Sequence, residues 1–134
     1  MFDHEKLDVY QLELSFLTWA THLLEETKAA SGVSIREIRD QLDRASLSML
    51  LNTAEGNGKR QKPIRAKFFD DARGSATECA ACLDALVAKG RCTDDRVRQG
   101  KQMLVRIAQM LTRLVQLYDD AGLVREDIST YNVD

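Results

Sequence analysis

The chain has 134 residues, 44% of them hydrophobic and 30% charged, with a formal net charge of −2. That balance excludes a disordered chain, which would lack the apolar content for a core. Seven glycines and one proline are too few for a turn-rich β-sandwich or barrel, and no apolar run approaches the roughly 20 residues that cross a bilayer.

Four helical segments are predicted in chain order. The first spans about 3–30. Leu7, Tyr10, Leu14, Leu17, Thr21 and Leu24 recur every three or four residues and mark one face. A second stripe, Leu12, Phe16, Trp19 and Leu23, lies on another side. A helix apolar on two sides must bury both. The second stripe therefore meets either its own bundle or another subunit, and these four residues are the candidate oligomer interface.

Ser31-Gly32-Val33 breaks that helix, and Ser34 with Glu37 makes a capping-box pattern for the next. The second helix spans about 35–55, with Ile38, Leu42, Ala45 and Met49 as its core stripe and Gly56-Asn57-Gly58 as its stop. Pro63 suits the first turn of a third helix over about 63–89, whose inner face is Phe68, Ala72, Ser75, Cys79, Cys82, Leu83 and Leu86. Gly90 ends it. Thr93 caps a fourth helix over about 94–121, with Val97, Leu104, Ile107, Leu111, Leu114 and Tyr118 inward and Gly122 as the stop. Short links between long helices predict an all-α, antiparallel up-down-up-down four-helix bundle over residues 1–122. Residues 123–134 form a C-terminal tail without periodicity, expected to be extended or partly disordered.

Charge is unevenly spread. Residues 1–34 and 114–134 each carry net −4, and residues 35–113 carry net +6. Lys59, Arg60, Lys62, Arg65 and Lys67 form a run without an acid, the candidate contact for RNA or DNA. The competing reading is a solvated turn. Arg91, Arg96, Arg98 and Lys101 gather at the opposite end of the bundle.

Catalytic and metal patterns are weak. Gly56-Asn57-Gly58-Lys59-Arg60 lacks the earlier glycine (Thr53 stands there) and the final Ser/Thr of a phosphate loop. Cys79-x-x-Cys82 has no second ligand pair and reads as small packing residues; Cys92 reads as a partly exposed thiol. His4 and His22 are too far apart to share a ligand. The expectation is a protein that is not an enzyme and takes no cofactor or metal. Three unpaired cysteines and a charged opening, MFDHEKLD, fit the cytoplasm without a leader peptide.

Helix two also carries a polar stripe. Gln41, Arg44, Ser48, Asn52 and Glu55 occupy one arc of about 80° beside the core stripe. Folding helices two and three as a hairpin about positions 58–60 brings Gln41 and Arg44 near Ser75 and Glu78. The expectation is a hydrogen-bonded seam in which Arg44 meets Glu78 and Asn52 bonds backbone near the turn.

The pattern Gln41-Leu42-x-Arg44-Ala45-x-x-Ser48-x-x-x-Asn52-x-Ala54-Glu55-Gly56-x-Gly58 resembles the signature of the four-helix bundle proteins encoded by intervening sequences in the bacterial 23S ribosomal RNA gene. Leu7-x-Val9-Tyr10 and Phe68-x-x-x-Ala72-Arg73-Gly74-Ser75-x-x-Glu78 resemble two further pieces, and the likeness runs over about 7–115. Thr53 departs from the usual isoleucine, and Met49-Leu50-Leu51 from a smaller segment with proline. The resemblance implies a homo-oligomer, commonly a ring of five, and kinship with accessory variability proteins of diversity-generating retroelements, which bind nucleic acid. A ring would multiply each basic cluster fivefold. The alternative is an oligomeric scaffold that meets protein partners and no nucleic acid.

Overall fold

The structure, a computed structural model, describes residues 1–28 and 35–119. The sequence features at Ser31–Ser34, at Gly122 and in the 123–134 tail lie outside the described residues. A short 3-10 turn, Asp3–Lys6, precedes α1 (Asp8–Lys28), α2 (Arg36–Gly58), α3 (Lys62–Ala88) and α4 (Asp94–Tyr118). α2 packs on α3 and α3 on α4, while α1 closes the ring against α2 and α4. This is an all-α four-helix bundle, without a strand among the described residues.

The punctuation acts largely as the sequence predicts. Pro63 sits in the first turn of α3, where its missing N–H leaves nothing unpaired. The Thr93 side chain accepts from the Arg96 amide at 3.1 Å, capping α4. Gly90 takes φ +72°, the left-handed conformation that stops α3. The glycines after residue 55 act differently. α2 runs on through Gly58, and Gly56 is interior helix. A Cβ at Gly56 would lie 3.1 Å from Phe68 Cβ and from the Phe69 ring, so this glycine serves close approach of α2 and α3.

Two core assignments change. α1 buries Val9, Glu13, Phe16, Ala20, Leu23 and Thr27. Phe16 and Leu23 are wholly buried inside the monomer, and Leu12 and Trp19 pack partly against the same core. The stripe Leu12, Phe16, Trp19 and Leu23 is therefore the inner face of α1, which leaves Phe16 and Leu23 no surface to offer another subunit. Two overlapping apolar stripes left the rotation of α1 open in the sequence. The bulkier rings and small Ala20 fill the interior, which turns Leu14 outward. On α3, Phe69 is the buried ring, and Phe68 is half-buried at the margin.

α1 meets α4 at one tight point. A Cβ on Gly100 would fall 2.8 Å from Trp19 Cε3 and closer still to Cζ3 and Cη2. Helix propensity alone favours alanine there by about 1 kcal/mol. Overpacking costs about 1–3 kcal/mol, and the Trp19 ring is hemmed in by Phe16 and by the Arg96 guanidinium, 5.3 Å from its centroid. Gly100→Ala is expected to lower the melting temperature, and adding Trp19→Leu to recover part of the loss. A Tm raised by Gly100→Ala alone would refute the contact.

Candidate functional site

The polar stripe of α2 forms the expected seam with α3, through different bonds. Gln41 Nε2 donates to Glu78 Oε2 at 2.6 Å, and Arg44 Nη2 donates to Gln41 Oε1 at 2.8 Å. Arg44 thus reaches Glu78 through Gln41, because the shorter amide lies between them. Ser75 Oγ donates to the Asp71 carbonyl at 3.2 Å and lies in hydrogen-bond reach of Ser48 Oγ, also at 3.2 Å. Asn52 Nδ2 donates to the Ser48 hydroxyl at 3.2 Å, not to backbone near the turn. Glu55 is exposed and lies 3.9 Å from Lys59. Nothing lies within 4 Å of a Cβ built on Gly74, so no packing requires that glycine. The seam is half-exposed, so its value is in register between helices more than in stability.

The basic run does not form one open patch. Arg65 turns inward: its guanidinium donates to the Lys59 carbonyl at 3.0 Å, to Asn57 Oδ1 at 3.2 Å and to the Tyr118 hydroxyl at 3.3 Å. It also stacks 4.4 Å from the Tyr118 ring centroid. Arg65 therefore ties the end of α2, the start of α3 and the end of α4 together. Lys59 lies 5.1 Å from the Phe68 centroid, beside Glu55. Lys67 pairs with Asp71 at 3.0 Å. Arg60 and Lys62 are exposed. Four residues of spacing, invisible as contacts in a charge count, let acids and carbonyls on the same helices absorb these cations.

The second basic group is similarly engaged. Arg96 makes a two-pronged bond to Glu26, 2.8 Å at each oxygen, which holds the Glu26 carboxyl below the usual carboxylate range. Arg98 pairs with Asp95 and Lys101 with Asp84, both at 2.5 Å. Exposed pairs of this kind contribute little to stability.

Two buried polar centres were not identified from sequence. Glu13 is wholly buried between α1 and α2, where Thr53 Oγ1 donates to its Oε2 at 2.7 Å and Oε1 has no partner. Burial pushes its carboxyl up to about 8, with the Thr53 bond opposing. Arg73 is 1% exposed, the largest fully buried side chain; it pairs with Asp70 and donates to Thr112 Oγ1 on α4 at 3.4 Å. A signal existed for Glu13, which shares the helical phase of Val9, Phe16 and Ala20. The Cys79 and Cys82 thiols are buried, and burial raises both, Cys79 to about 12. Cys92 is half-buried. Among the described residues no group of three His, Cys, Asp or Glu side chains is placed to hold a metal, and no helix is long and apolar enough to cross a membrane.

An open groove of about 450 Å³ between α2 and α3 is floored by Ile35, Ile38 and Cys82 and edged by Gln41, Glu78 and Lys89. It continues the polar seam toward the α1–α2 end of the bundle.

No curated protein matches the chain. The family model of the 23S rRNA-intervening sequence proteins matches residues 5–113, from the 3-10 turn to the last turns of α4, and so takes in the seam, the buried Arg73 and the Glu13–Thr53 pair. With most of its length matched and the four helices in place, the chain belongs to the 23S rRNA-intervening sequence protein family.

Proposed function

We propose that this protein is a non-enzymatic assembly module, a helical bundle that associates with copies of itself through the outer side of the α1–α2 seam. One observation carries the reading. Leu14, Leu47 and Leu51 are 36%, 49% and 54% exposed. The Glu13–Thr53 bond and the Arg39 bond to the Leu24 carbonyl fix the antiparallel register of α1 and α2. That register sets Leu14 level with Leu51 and half-buried Leu17 level with Leu47 along the two helices. Exposed leucines gathered on two neighbouring helices of a small bundle suit an interaction surface. On a twofold-symmetric contact, each leucine would meet the same leucines of the other copy. The buried polar pairs support a building-block role, since they join one helix to the next.

Light scattering on the full chain gives the test and the number of copies. The wild type is expected to have a mass above one chain, and Leu47→Glu with Leu51→Glu is expected to give a folded monomer. A monomeric wild type, or an unchanged mass in the double variant, would remove the proposal. The internal engagement of Lys59, Arg65 and Lys67 lowers the support for RNA or DNA binding through that run.

A further inference from the structure

A second surface lies on α4, away from the exposed leucines of α1 and α2, and is complete within one copy of the chain. After Asp94 and Asp95, residues 96–118 contain five cations and no acid. Arg98, Gln102, Arg106, Gln109, Arg113 and Gln116 follow at steps of four, four, three, four and three, and every one is exposed. They make a single outward stripe, opposite the buried Val97, Leu104, Ile107 and Leu111. Arg98 is held by Asp95. Arg106 and Arg113 have no hydrogen bond, ion pair or ring contact among the described residues. They stand two turns apart, about 10.5 Å along the axis.

We infer that the outward face of α4 binds the phosphate backbone of a nucleic-acid duplex. Two free guanidiniums on side chains rooted about 10.5 Å apart along the helix match roughly three base steps of a strand, at 3.4 Å per step, and the Gln109 amide between them adds donors without charge. Guanidinium is suited to paired contacts with phosphate oxygens. The face carries no exposed aromatic ring, so base stacking on a single strand has nothing to use. Val105 and Leu117, 58% and 63% exposed, lie on opposite margins of the stripe and do not join into an apolar patch for a protein partner. Asp8 of α1 borders the far end beside Arg113, which limits the surface to the length of α4. Contacts of this type position the protein without reading sequence.

The experiment is fluorescence anisotropy of the full chain with a 20-base-pair RNA duplex, a DNA duplex and the matching single strand, from 50 to 200 mM salt. The wild type is expected to bind both duplexes more tightly than the single strand. The double variant Arg106→Gln, Arg113→Gln is expected to bind at least tenfold more weakly, with its salt slope reduced by about 2, or 0.9 for each lost phosphate contact. Arg60→Gln with Lys62→Gln is expected to bind like the wild type. Circular dichroism should show the α4 variant folded, since both positions are exposed. Absent duplex binding by the wild type at 50 mM salt, a preference for the single strand, or an α4 variant that binds unchanged would each overturn the inference.

Discussion

Arg73→Ala is expected to cost about 3–5 kcal/mol of folding stability, the range for breaking a buried ion pair. Two losses combine. The variant removes a partner of Asp70 and of Thr112 inside the bundle, and it empties the space of the largest fully buried side chain. The cost of a cavity depends on how well the walls collapse, and here they are Phe69-bearing α3 and α4, tightly packed. Urea unfolding reads the loss directly. Arg73→Met, which refills the volume without the charge, should recover part of it. Pairing Arg73→Met with Asp70→Asn should recover more, because the carboxylate charge is then removed together with the cation that balances it. A loss under 1 kcal/mol for Arg73→Ala would mean that Arg73 is not part of what joins α3 to α4.

Glu13 should give the largest pH effect. The folded chain keeps its proton up to about 8, whereas the unfolded chain releases it near 4.5. Between those values the folded state binds the extra proton, so stability is fully present below about 4.5 and falls as pH rises to about 8. At about 1.4 kcal/mol per pH unit, this window represents a loss of about 5 kcal/mol. The cause is burial, which strips water from a charged carboxylate there, and the Thr53 hydroxyl offsets only part of that loss. Glu13→Gln is expected to be close to wild type at pH 4.5 and clearly more stable at pH 8. Denaturant midpoints across the range test this; parallel pH profiles for the two proteins would exclude the mechanism. Thr53→Ile alone should destabilise by removing that donor, whereas Thr53→Ile with Glu13→Leu should not, since neither polar group then remains.

These two residues also show where sequence reading works and where it stops. Helix existence was legible because periodicity, the Pro63 start, the Thr93 cap and the Gly90 stop all act within a few residues of chain. The α2–α3 register was legible too, since a short link fixes it, and Gln41 does meet Glu78. The rotation of α1 was not. Leu7 to Leu24 and Leu12 to Leu23 both offer apolar stripes, and only packing against α2 and α4 chooses between them. The same is true of the cations: Arg65 and Arg106 are alike in a charge count, yet one clasps Tyr118 and the other faces outward.

The order of residues by itself determined four amphipathic helices, their ends at Pro63, Gly90 and Thr93, and the polar stripe that sets α2 on α3. Those features rest on local backbone preferences and on spacing along a single helix. The tertiary structure alone decided which face of α1 is interior, that Glu13 and Arg73 are buried, that most of the 59–67 cations are engaged, and that Leu14, Leu47 and Leu51 are left exposed. Each of those depends on what a neighbouring helix presents across the seam, and that distance is not encoded in any one segment.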